Sequence, residues 1–253
     1  MRWNTREDWP RQAREAITGL ETRNITLPTA VADALAVLDR IEATKPAAPD
    51  PTAIRRAIID GANVDTLNAL LLADAVTGKF NVEWTQAKVD SAGAVLAAIL
   101  AAADTLLPAL TELAETCIEK LVSVAALDCA RLEDLVKAGR TTDAELLANV
   151  DVIAAELSGH YDYRDQFLTR GGSPSLAIGG WNASRWRDPV AAQHHVKGSS
   201  PVDVYLSGLR ASVPLWFPTP AEAVEVAQAV ADGEAARAAL VKAEQHGVGS
   251  IAI

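Results

Sequence analysis

The stretch Val89–Leu135, VDSAGAVLAAILAAADTLLPALTELAETCIEKLVSVAALDCARLEDL, decides how this chain is built. Leu96, Ile99, Ala103, Leu106, Leu110, Leu113 and Cys117 recur in steps of three and four, an apolar seam of about three heptads. The stripe then slips through Leu121, Val124, Leu127, Leu132 and Leu135, so it continues while the strict heptad does not. One helix over the whole span would be about 70 Å long at ~1.5 Å per residue, and a stripe of that length has to be buried. Pro108 lies inside it and cannot bond the Asp104 carbonyl, so the spacing predicts a kink near Asp104–Thr105 or a break into two helices. None of these residues carries chemistry. Leu96, Ile99, Leu106, Leu110 and Leu113 are therefore expected in the core or at a contact between copies.

Before this stretch the pattern predicts four shorter helices. Asp8 and Pro10 open the first, with Ala13, Ile17 and Leu20 as its stripe, and Thr26 caps a second over residues 27–44. An extended linker follows, Lys45 to Pro51. The third helix runs to Gly61, and the fourth, over residues 65–76, carries Leu67, Leu70, Leu71 and Leu72. Beyond the seam Gly139 is a stop signal. Thr142 and Glu145 form a capping box for a helix with Leu146, Val150, Ile153 and Leu157 on one face, ended by Gly159.

From His160 the character changes. Residues 171–180 are glycine-rich, Trp181, Trp186 and Trp216 stand among Pro189, Pro201, Pro214, Pro218 and Pro220, and helical periodicity is lost through Phe217. Val202–Leu206 alternates as a short strand would. Thr219 and Glu222 form a second capping box, opening an Ala/Val-rich helix to about His246, with Gly233 a point of weakness. The expected fold is mainly α: a helical bundle with a long central helix over residues 1–159, an irregular Gly/Pro/Trp arm or lid with little β at 160–218, and a C-terminal helix with an apolar tail at 219–253.

Charge narrows the function classes. Residues 60–160 hold 16 Asp/Glu against 6 Lys/Arg, while the rest of the chain has 17 of each. The acidity belongs to the central helices, which argues against nucleic acid there, since displacing counterions needs Lys and Arg. Ser91–Leu110 is apolar nearly all round, but Asp104 and Pro108 interrupt it, leaving a charge-free run shorter than the roughly 20 residues a membrane span needs. Two cysteines, Cys117 and Cys129, make no disulfide framework. The opening residues lack the apolar core of a secretory signal, so a cytoplasmic place or one inside an assembled particle is expected.

Three groups of residues compete as sites. His160-Tyr-Asp-Tyr-Arg-Asp165, with His194 and His195, offers acid–base or metal-binding side chains, yet no metal-ligand or nucleophile motif is formed. The glycine run lacks the Lys and Ser/Thr of a phosphate loop, and Ser173 and Ser175 lack the nucleophile-elbow pattern. Trp181, Arg185, Trp186 and Arg187, with Trp216, are of the types enriched at protein–protein hot spots. No cofactor and no metal is expected.

The leading expectation is a non-enzymatic structural or assembly protein. It would self-associate or pack into a larger particle, a virion being one form, with itself or other subunits as partner. The alternatives are an enzyme or small-ligand binder at His160–Asp165 and His194–His195, and a helical adaptor docking through Trp181–Arg187.

Overall fold

In the computed structural model of the chain, the residues described are 5–45, 50, 52–127, 130–169, 177–178 and 181–247, with backbone alone for 177–178, 181–183 and 234–247. The chain is mainly α. It forms two compact units, residues 3–102 and 103–253, so the division falls at Ala102 and not at Gly159.

The first unit is built from α1 (Trp9–Glu21), α2 (Thr29–Ala43), α3 (Ala53–Ile59) and α4 (Val64–Ala101). The fourth predicted helix and the start of the central one are one continuous 38-residue helix. Gly78 does not break it, because one glycine inside a helix costs only about 1 kcal/mol against Ala. Asn63 caps it by accepting from the Thr66 N–H, and Gly61, at φ +73°, ends α3 in the left-handed conformation that favours glycine. Thr26 is no cap, since α2 starts three residues later behind Pro28. The core lies at the C-terminal half of α4, where Ala92, Val95, Leu96 and Ile99 bury against α1 and α2 through residues such as Ile17, Leu20, Val31 and Leu38. Gly93 lets the Trp9 ring lie directly on α4, a place where a Cβ would collide with it.

The predicted long helix breaks at Ala102, two residues before the expected kink. Pro108 sits inside α5 (Ala103–Ala125). The seam is thus shared between two helices. On α5 the buried stripe runs Leu106, Leu110, Ala114, Cys117, Leu121 and Val124, with Leu113 turned half outward.

The second unit continues with α6 (Leu132–Lys137), α7 (Thr141–Ala148), α8 (Val150–Tyr163), a π-helical turn Arg164–Leu168, a two-residue antiparallel pairing of β1 (Ala177–Ile178) with β2 (Trp181–Asn182), α9 (Pro189–His195), α10 (Pro201–Arg210) and α11 (Pro220–Gly247). Gly159 does not end α8. Thr142 lies within α7 and caps nothing; Arg140 holds that end through Asp143 instead. Val202–Leu206 is helical, not a strand: Ser200 accepts from the Asp203 N–H, Pro201 starts the helix, and Val204, Tyr205 and Gly208 fall on one buried face. Thr219 and Glu222 do form their capping box, each accepting from the other's backbone N–H, and α11 runs unbroken through Gly233. Among the described residues no single helix is long and apolar enough to cross a membrane.

Candidate functional site

Two places in the molecule gather the residues that the sequence singles out, and they differ in kind. The first is in the second unit, where the end of α8 meets the irregular segment. The π turn at Arg164–Leu168 carries one extra residue per turn, a feature common at functional sites. Arg164 is fully buried there. Its Nε and Nη2 donate to one Asp165 oxygen at 2.8 and 2.6 Å, and Nη1 donates to the Pro218 carbonyl at 2.7 Å. Its guanidinium lies 5.4 Å from the Tyr161 ring and 5.0 Å from that of Phe217. A buried cation is tolerated only when paired and hydrogen-bonded in this way. The result ties residues 217–218 to α8.

Arg185 makes a second tie. Its Nη1 donates to the Tyr205 hydroxyl at 2.8 Å, its Nη2 to Asp162 at 3.2 Å, and its guanidinium lies 4.6 Å from the Tyr161 ring. Tyr205 shares a hydrogen bond of 2.9 Å with Ser158, and the Tyr161 hydroxyl donates to the Trp216 carbonyl at 2.6 Å. Burial pushes both phenols above their usual range, so both are neutral here, and Tyr161 serves as a donor. The Nε–H of Arg185 and the indole N–H of Trp216 are buried without a hydrogen-bond partner among the described residues.

Trp186 is buried to 2% exposure. Its backbone pairs with Leu215, flanked by bonds from Arg187 N–H to the Pro214 carbonyl and from Trp216 N–H to the Arg185 carbonyl. Its ring lies against Gly208, where any Cβ would collide with it. Arg187 is exposed and covers the half-buried Trp216 ring at 4.9 Å. The side chain of Trp181, like most of residues 171–180, lies outside the described residues.

The structure therefore brings the 160–165 segment together with Arg185–Arg187 and Trp216. His160 is buried within α8, and His194 and His195 close α9 at an exposed end. Among the described residues no three His, Cys, Asp or Glu side chains assemble as a metal site needs. Cys117 is no activated nucleophile: burial and the Glu156 carboxylate both push its thiol up. Cys129 lies outside the described residues. The cluster holds the backbone of residues 216–218 in place against the end of α8.

The second place is the N-terminal half of α4, with α3. Between Val64 and Glu83 no residue of α4 is buried. Val64, Leu71, Leu72, Val76, Phe80 and Val82, with Ile58 and Ile59 on α3, are all exposed, from 51% at Phe80 to 76% at Ile59. One side of this half-helix is covered by α3; just beyond it Trp84 donates to the Ile41 carbonyl at 2.7 Å, and Lys88 pairs with Glu42, which also accepts from Arg14. The sequence reading placed Leu67 and Leu70–Leu72 on a helix over residues 65–76 and did not ask which of them would be covered. The signal was present, because three leucines in succession span 200° of a helix and cannot share one face. Comparison of the chain with protein families, curated proteins and solved structures finds no match.

Proposed function

We propose that this is a non-enzymatic structural protein that works by packing the open face of α3 and α4 against another protein surface, as a subunit of an assembly. A larger particle, a virion included, is the concrete form of such an assembly. One observation carries the reading: a half-helix that is apolar around most of its circumference is covered on one side only by the described residues. Helices of that composition are normally buried on several sides, and exposed apolar patches of this extent mark interaction sites. The eight exposed side chains offer on the order of 1,000 Å², comparable to the ~800 Å² that each partner contributes to a standard interface. The seam from Leu96 to Leu110 is already occupied inside the chain, so it is not the docking surface.

The test is the solution mass of the full chain beside that of Leu72→Asp. A charge at this exposed position leaves the melting temperature within about a degree or two and abolishes association. A wild-type chain that stays monomeric at every concentration and is captured by no protein surface contradicts the reading.

A further inference from the structure

Charge on the open face of α4 is arranged so that one pairing of two copies satisfies it. Asp65, Leu72 and Lys79 are spaced by seven residues, about two helical turns, and so lie along one line of the helix. All three are exposed. Neither Asp65 nor Lys79 has an ion-pair partner among the described residues, although other surface charges do pair, Arg6 with Asp90 and Arg14 with Asp39 among them.

Resting on the assembly reading above, we propose that the partner is a second copy of this chain. The two α4 helices pack antiparallel about a two-fold axis at Leu72. Each Asp65 then faces the Lys79 of the other copy, while the two Leu72 side chains meet on the axis. A parallel pairing in register would set Asp65 against Asp65 and Lys79 against Lys79. Like charges facing across an interface are unfavourable, and this sets the direction. A shallow depression of about 470 Å³, lined by Ala75, Val76, Lys79, Phe80 and Glu83, flanks the line. In the antiparallel arrangement the first turn of the other copy's α4 lies over it. The self-complementary charge pattern is what a two-fold interface requires, since the same patch must serve both sides.

The experiment uses three full-length chains at low ionic strength: wild type, Asp65→Lys and Lys79→Asp, followed by sedimentation over a concentration series. Each variant alone turns two attractive pairs into repulsive ones, so its dissociation constant for self-association rises at least tenfold. Mixed in equal amounts, the two variants form a heterodimer in which both pairs are again opposite in sign, and association returns to within a few-fold of wild type. Unchanged melting temperatures show that folding is not the cause. If both variants associate like wild type while Leu72→Asp still dissociates, the antiparallel register is wrong and the assembly reading stands. If association is lost in each variant and mixing does not restore it, the register is also overturned. A wild type that is monomeric throughout overturns the second copy as partner; if that monomer floats with phosphatidylcholine–phosphatidylglycerol vesicles, the occupant of the face is a lipid surface.

Discussion

The segment around Trp186 and the first half of α4 are both apolar, yet one is closed and the other open. Around Trp186 the chain supplies its own cover: Gly208 makes room for the indole, Leu215 pairs with its backbone, and Arg164 and Arg185 lash the neighbouring strand of chain to α8. Along Val64–Val82 the described residues supply α3 on one side and leave the rest exposed. Aromatic and arginine side chains are not by themselves a docking face. What decides is whether the chain's own elements return to cover an apolar surface, and among the described residues they return to the loop and leave the helix.

Several substitutions should separate the closed region from the open one. The largest effect is expected at the seam. Leu110→Asp puts an unpaired charge into the core of the second unit, and cooperative folding of that unit should be lost in a thermal melt. Trp186→Ala removes a fully packed indole and should cost roughly 3–5 kcal/mol in denaturant unfolding while leaving the solution mass unchanged. A Trp186→Ala chain of normal stability that no longer associates would return the irregular segment to the interface. Gly208→Ala should cost less, about 1–3 kcal/mol, by driving a methyl group into the Trp186 ring.

The two units should also answer differently to pH. Tyr161 and Tyr205 are held neutral by burial, their folded values lying above the unfolded one. Their contribution is whole below about pH 10, where unfolded tyrosine titrates, and is lost as pH rises further. For Glu42, burial pushes the carboxyl up, but hydrogen bonds and charge from Arg14 and Lys88 outweigh it and the net shift is downward. Its contribution is present above the unfolded value near 4.5 and fades as pH falls through the lower folded one. Amide exchange should therefore quicken first in α8 and α10 on the alkaline side. In α2 and α4 it should quicken first on the acid side, and Glu42→Gln should flatten that acid limb. The same order in both units would break the contrast.

The helical character of the chain was legible because caps and three-four spacing are local signals. Gly61, Gly139 and the Thr219–Glu222 box mark their boundaries through backbone geometry that the residue type dictates. What the sequence hides is decided at long range. The alternation in Val202–Leu206 is equally consistent with a helix once Ser200 and Pro201 start one. Pro108 announces a break near it but does not say that the helix stops at Ala102. Nothing local in Trp181–Arg187 or Trp216 says whether the surface they cover is their own or another's. The π turn that buries Arg164 has no composition signature, so the residue that anchors the cluster passed as one member of a charged run.

The most direct measurement is side-chain footprinting by hydroxyl radicals along a dilution series of the full chain. Leu71, Leu72, Val76, Phe80 and Val82 should be protected in concentrated solution and become reactive on dilution, while Trp186 stays protected throughout. If reactivity over Val64–Val82 is high at every concentration, or if protection on association appears at Arg187 and Trp216 instead, the open half of α4 is not where this protein meets its partner.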